Sequence, residues 1–577
     1  MSYKEAHFLE PVPVLVVSLD IGRSTSGYAF SFKGSTNIQT GTTDGRLPTN
    51  KVPSVLLLNP DQKFHSFGYG AIENYSRLSE SSRRQYHYIE HFQRSVMTSY
   101  KVTEKTYVLD QNDRKVNALM VYEIVIKYLK SFALSATMAD GICVDVDFAL
   151  WMLPIPDKCS DTLRHFLHEA ATRAGIPNDR LRLVSECEAV TLFWQEHPSM
   201  AMDYNVYKMK NGEKFILIDM KYIIEIHVRN AINVKVTQPV HTTIVHDAGW
   251  KHIRDEVTDF VRDLLGDTVW ETFQTNYVSC YNSFMLQLHD ILKSFSTTNN
   301  KIFHIALESS LLHILETSGT SLEQVAEESP FRHLLLYDDA TNRLFLGKRL
   351  IEAFFLPTIR RLAKNLFEII ESLGEKPVKA VVLHGGLSVC PYMREELGDI
   401  LQAFDVTFVP DGDIAVAKGA VMMGVMQRGV QQRIARLSYG IPAAVPFIEG
   451  EHPDYLRGTC DGEDWCENVF MRIIERGQVL TCGDIFVLNI YSTALDPDLK
   501  HCPQDTLFMM SKLKNPKFCT KTDGCNLLGK ISMSAPVNGW PKLCKGEIRL
   551  IVDESNFVME IVNKTTGQIQ GASMKFM

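Results

Sequence analysis

Asp20 and Asp219 each close a short apolar run, VLVVSLD at 14–20 and KFILID at 214–219, and a third run, KAVVLHGGL at 379–387, contains Gly385 and Gly386. Carboxylates at strand ends can hold the waters of a Mg²⁺ ion. Turn amides and hydroxyls can wrap phosphate oxygens where side chains leave room, and a Gly-Gly lets backbone lie flat against a base or ribose. Together the residues point to a cleft between two related lobes that takes a nucleoside triphosphate. Each also has a plainer reading: a turn aspartate bonds nearby backbone, and a Gly-Gly makes a tight turn.

The elements that must carry these residues follow from pattern. VLVVSLD is too short for a helix and rich in Val, so it reads as a buried strand, and YAFSF at 28–32 returns as its hairpin partner. The segment 214–228 echoes this strand-turn-strand. Apolar positions from Leu119 to Phe132 give an amphipathic helix over 115–137, followed by a strand at 145–154. Ser160 is an N-cap for a helix through Ala174 that stops at Gly175, and 181–190 supplies a strand and a helix start. A helix over 347–373, interrupted at Pro357, precedes the strand 379–387. After about residue 432 helical periodicity nearly vanishes and strands such as 485–491 and 547–552 take over.

Composition narrows the class. At 577 residues the chain exceeds a single core, and 45% apolar with 22% charged residues is that of a globular protein. The net charge of −8 comes with no Lys/Arg block, so nucleic acid is not a favoured partner. No apolar run approaches the roughly 20 residues of a membrane span. The N-terminus MSYKEAHFLEPV lacks a signal-peptide core, so a cytoplasmic location is expected. Of 12 cysteines, seven lie at Cys460, Cys466, Cys482, Cys502, Cys519, Cys525 and Cys544. They lack the close pairs of a metal site and read as reduced, buried thiols.

LDIGRSTSGYAFSF at 19–32 resembles the first phosphate loop of the 70-kDa heat-shock family, in particular its protein 12 branch. FHSFGYGA at 64–71, the run 145–175, SECEAV at 185–190, VVLHGGLSVCPYM at 381–393 and PDGDIAVAKGAVMMG at 410–424 agree in order and spacing. LSYGIPAAVPFIEGEHP and DGEDWCENVF extend the resemblance through the tail. It implies a duplicated actin-like (ribonuclease H-like) α/β ATPase fold, with lobe I at 12–205, lobe II at 206–432 and a β-rich C-terminal domain at 433–577. The implied cofactor is ATP or ADP with Mg²⁺ in the interlobe cleft.

Carried over by position, Asp20 organises the Mg²⁺ through water, with Asp219 as its second-lobe counterpart. Gly22 is the close-approach glycine, and Ser24 and Ser26 are phosphate-loop hydroxyls. Glu186 lies near the metal-bound water, Gly249 belongs to a connecting loop, Asp290 and Lys293 contact the base, and Gly385 and Gly386 form the adenosine loop. Arg23 stands where the family has threonine; a guanidinium there either binds phosphate or fills the space phosphate needs.

The second loop departs further. In place of aspartate, three glycines and threonine it reads Asp219-Met220-Lys221-Tyr222-Ile223-Ile224-Glu225. β-Branched Ile223 and Ile224 resist φ > 0, and only Glu225 is left to replace a second aspartate. The family's catalytic lysine falls at Gln93 and Arg94. The expectation is therefore a heat-shock-70-like ATP-binding protein with a degenerate phosphate site, acting as a chaperone-related adaptor or scaffold with weak or no hydrolysis, and taking a protein client or partner. The alternatives are an active Mg²⁺-dependent ATPase chaperone and a scaffold that ignores nucleotide.

Overall fold

The computed structural model describes residues 13–35, 37–41, 50–97, 102–139, 144–157, 159–196, 209–231, 237–298, 302–374, 378–426, 432–460, 462–481, 483–493, 500–553 and 557–574. The expected boundary at 205/206 lies outside them. The chain divides into two compact units, one of Met1–Ser95, Tyr107–Asp157 and Ala174–Gln427, the other of Val96–Thr106, Lys158–Arg173 and Arg428–Met577.

The first unit is built on two sheets. The VLVVSLD run forms the strand Leu15–Ile21, which pairs antiparallel with Thr25–Phe32 and parallel with Ala149–Ile155. Leu181–Ser185 and Gln39–Gly41 complete the row, and Lys51–Pro53 also pairs with Thr25–Phe32. In the other sheet Lys214–Met220 pairs antiparallel with Ile224–Ala231 and parallel with Val378–His384, flanked by Thr237–Val245 and Val406–Phe408. Both sheets thus set a hairpin on one side of the central strand and parallel strands on the other. These strands are apolar on both faces, as fully covered strands must be.

Two helices, Glu186–Glu196 and Ala415–Val425, serve both sheets. Ala417, Ala420 and Val421 pack with Val16, Ala29 and Met152, while Ala415 and Val416 pack with Phe215, Leu217 and Val382. Gly419 lets the helices touch, since a Cβ there would lie 1.9 Å from the Ala189 carbonyl oxygen. Helices from Trp250–Leu265 to Lys348–Ser372 bury a large core against the second sheet.

Two of the expected helices need adjustment. The helix through Pro357 is continuous from Lys348 to Ser372, because Leu350, Phe354, Phe355, Ile359 and Leu362 anchor both sides of the lost hydrogen bond in the core. The helix expected from 115 starts at Ala118, because Lys115–Asn117 pairs with Tyr107–Leu109.

In the second unit, Ser160 caps the helix Asp161–Arg173 by accepting from the Leu163 amide, and Gly175 follows in the first unit with φ of +79°. From Gln432 on, the described residues hold strands and one 3₁₀ turn. One sheet runs Arg457–Cys460, Glu463–Ile474, Ser438–Pro446, Gln504–Ser511, Cys525–Met533; the other runs Ile485–Thr493, Leu543–Val552, Phe557–Asn563, Ile569–Met574. Tyr439, Ile474, Phe508, Trp540, Ile548 and Phe557 fill one core. Cys466, Cys525 and Cys544 are buried free thiols, the last within this core, but Cys502 is exposed and Cys519 half-buried, contrary to the expectation that all are buried; Cys482 lies outside the described residues.

Candidate functional site

Asp20 sits near the end of its strand, opposite Gly27 of the hairpin partner, and Gly27 in turn lies opposite Lys51. The three residues form one row across the sheet. Because Gly27 has no side chain, Lys51 can lie across it, and its Nζ reaches Asp20 Oδ2 at 2.5 Å. A Cβ on Gly27 would be 2.9 Å from Lys51 Cγ. Both charged side chains are nearly buried, and the pair is charge-assisted.

The second hairpin makes a similar pair by a different route. The turn after Met220 contains no glycine and no positive φ, so Lys221 turns its side chain back over the strand end. Its Nζ lies 2.8 Å from Asp219 Oδ2 and 2.5 Å from Oε2 of Glu186, the first residue of its helix. Desolvation would lower the Lys221 ammonium, but Asp219, Glu186 and Asp20 raise it well above the ordinary lysine value. Desolvation raises Glu186 against the pull of Lys221; Asp219 is held below the usual carboxylate range because Lys221 and His384 outweigh its desolvation. Burial lowers the His384 ring to about 4, so it is neutral at pH 7.

Asp20, Lys51 and Lys221 border a cavity of about 440 Å³, with Asp219, Glu186 and His384 set back from its lining. Asp20, Gly22, Arg23, Ser24 and Lys51 line it from the first hairpin and its neighbour strand, Lys221 and Tyr222 from the second turn, Trp250, Arg254, His289 and Lys293 from helices, and Gly386 from the turn after the strand Val378–His384. Arg23 stacks over the Tyr222 ring at 4.6 Å, and Arg254 donates to the Tyr222 hydroxyl at 3.1 Å. Arg23 Nε is buried without a hydrogen-bond partner.

The glycines expected to meet ligand have structural duties as well. Gly249 (φ +111°) and Gly385 (φ +97°) bring backbone against the second turn: a Cβ would be 2.7 Å from the Tyr222 carbonyl oxygen and 2.6 Å from that of Met220. A Cβ on Gly22 would meet the Thr25 carbonyl oxygen at 2.2 Å. Ser26 is buried in a 2.7 Å hydrogen bond with the lining residue Ser54 and is not itself in the lining. Asp290 is absent from the cavity lining and borders a separate recess with Ile302 and His304. Glu225 sits opposite Asp219 in the ladder and is not among the lining residues; Gln93 is buried and donates to the Ile21 carbonyl, and Arg94 is exposed.

Mg²⁺ requires near-octahedral oxygens at about 2.0–2.1 Å, mostly water and carboxylate. Asp20, Asp219 and Glu186 instead each carry an ammonium group at 2.5–2.8 Å. A doubly charged ion there would face the ammonium groups of Lys51 and Lys221, so this donor set does not fit Mg²⁺. Asp157, Cys187 and His227 also bring ligand atoms within 4.8 Å of one another. Asp157, however, is bonded to Arg229 and Ser185, and burial pushes the Cys187 thiol well above its ordinary value, which makes this a buried polar cluster.

Sequence reasoning located both aspartates and named Lys221 only as part of the loop that replaces the glycines. It missed Lys51, Trp250 and Arg254. The signal for Lys51 was faint: a glycine at the hairpin position facing an aspartate, with a lysine in the next apolar segment. Trp250 and Arg254 follow Gly249 by one and five residues, on one face of the helix that starts there.

Heat shock 70 kDa protein 12A of Mus musculus is 22% identical over 578 aligned positions, covering 85% of this chain and 84% of that protein. The Homo sapiens 12A protein gives the same identity over 577 positions. Heat shock 70 kDa protein 12B of Homo sapiens is 21% identical over 532 positions, covering 82% of this chain and 77% of its own length. No protein-family profile matches the chain.

Proposed function

We propose that this heat shock 70 kDa protein 12-like chain binds a nucleotide in the cavity between its two hairpins and works as a chaperone-related adaptor or scaffold with little or no hydrolysis. The reading takes residues 12–205 and 206–432 as the lobes of a duplicated actin-like fold and 433–577 as a β-rich domain for a protein client or partner. The matching strand order of the two sheets and the shared pair of helices support it. A cytosolic setting suits its free thiols; among the described residues no helix is long and apolar enough to cross a membrane.

The observation that carries the reading is Lys221 bonded to both Asp219 and Glu186. Phosphoryl transfer depends on a metal ion, amides and a positioned water around the terminal phosphate. Here the second turn supplies a side chain where a glycine loop supplies amides, and the two carboxylates are committed to that side chain. Binding survives such a change more readily than hydrolysis does, because hydrolysis needs contacts aimed at the transition state. Trp250, His289 and Gly386 in the lining offer two aromatic rings and a bare stretch of backbone to a base.

Thermal unfolding of the full chain with ADP, ATP or neither tests binding. At about 100 times its Kd a ligand adds roughly 2.7 kcal/mol, so the midpoint should rise by a few degrees. Single-turnover measurement with labelled ATP tests the chemistry: phosphate release is expected to stay at the blank rate. Turnover that Lys221→Met abolishes would sink the adaptor reading in favour of an active ATPase, and the absence of any midpoint shift would favour a scaffold that ignores nucleotide.

A further inference from the structure

The cavity carries cations of its own where a divalent ion would otherwise bridge protein and phosphate. Its lining includes five cationic side chains, Arg23, Lys51, Lys221, Arg254 and Lys293, against three carboxylates, Asp20, Glu90 and Asp413. His91 and His289 add no charge at pH 7, because burial lowers both. Asp20 is matched by Lys51, and Asp219 and Glu186, set back from the lining, share Lys221. Each of the three carboxylates at the strand ends and helix start, Asp20, Asp219 and Glu186, thus already holds an ammonium group where a metal ion would sit. Arg23 is held over Tyr222, and its buried Nε has no acceptor.

We infer that the nucleotide is taken without a divalent cation, with Lys221 and Lys51 standing in for the ion. The inference rests on the nucleotide reading and sharpens it. In a metal-dependent site the carboxylates hold the ion and the ion holds the phosphate oxygens; here the carboxylates hold two ammonium groups, whose remaining N–H donors are free to do the same. An ammonium has three donors. Lys221 spends two on Glu186 and Asp219 and keeps one, and it lines the cavity. Lys51 spends one on Asp20 and also lines the cavity. Free ADP or ATP carries more negative charge than its Mg²⁺ complex, and that excess complements the guanidinium and amine groups of Arg23, Arg254 and Lys293, which have no ion-pair partner among the described residues. Added Mg²⁺ competes for the phosphate oxygens and brings its charge up against Lys221.

Calorimetric titration of the full chain with ADP, in EDTA and in excess Mg²⁺, decides the matter. Binding is expected in EDTA and is expected to be weaker in Mg²⁺. Lys221→Met should weaken the EDTA affinity by about ten- to a hundredfold, the loss of one charge-assisted contact, and should make binding depend on Mg²⁺ because Asp219 and Glu186 are released. Glu186→Gln, which keeps the helix start and the lysine but removes one competing charge, should instead tighten binding in EDTA; it guards against a misfolded Lys221 variant. Binding that occurs only with Mg²⁺ overturns the inference and leaves the nucleotide reading intact. Equal EDTA affinity in the wild type and Lys221→Met overturns the role given to Lys221. No heat or midpoint shift in either buffer, with ADP or ATP, overturns both inference and reading.

Discussion

At His384 three buried polar atoms meet without hydrogen bonds: both ring nitrogens and Asp219 Oδ1, with Nδ1 3.8 Å from that oxygen. Burial lowers the ring from the ordinary 6.5 to about 4. A folded-state value below the unfolded one means that the unfolded chain takes up the proton first. Stability from this group is therefore complete above pH 6.5 and is lost as pH falls toward 4. The shift corresponds to about 3 kcal/mol across that window. His384→Leu should flatten the decline, and urea midpoints at pH 7 and pH 4.5 for both proteins check it; parallel declines would contradict the assignment. At this scale the sequence was partly legible. Asp20 and Asp219 stood out because a carboxylate ending an apolar run is a local signal. Their ammonium partners come from residue 51 and from a turn whose side-chain direction only the fold decides.

Among elements, the hairpins were the most legible part, because an apolar run of seven residues bounded by turns has few other solutions. The helix through Pro357 was misjudged since local propensity was outweighed by packing on both sides of the proline. Strand register, which no periodicity reports, sets the Asp20–Gly27–Lys51 row. Gly27→Ala tests what that row does. Its Cβ would lie 2.7 Å from the Asn50 carbonyl oxygen and 2.9 Å from Lys51 Cγ, so both the short strand and the lysine must shift. A loss of about 1–3 kcal/mol is expected. In a Lys51→Met background the side-chain part of the strain is relieved, because the shorter apolar chain is no longer tied to Asp20, and the two losses should fail to add by at least about 0.5 kcal/mol. Additive losses in a denaturant double-mutant cycle would mean that the glycine serves the Asn50 backbone alone.

Over the whole molecule, the change of texture near residue 432 marked where a run of strands begins, yet it gave no hint that one compact unit gathers three stretches of chain. The helix Asp161–Arg173 reads as an ordinary link between two strands of the first sheet, and it belongs with the tail because of contacts made almost three hundred residues away. Tyr439, fully buried in the core of the strand-rich unit, donates its hydroxyl to Asp161 at the start of that helix. The same unit sets His168 near Asp553. Tyr439→Phe removes a bond between a buried phenol and a carboxylate and should cost about 1–3 kcal/mol, the range of hydrogen bonds to charged groups. A fragment of 428–577 expressed alone loses the whole helix as well as that bond, so it should melt at lower temperature and less cooperatively than a fusion carrying 158–173 ahead of it. If the bare fragment melts as sharply and as high as the fusion, the helix is a passenger on a self-sufficient β unit; if the fusion is clearly the more stable, the tail folds around a piece of chain that the sequence places among the strands of the first sheet.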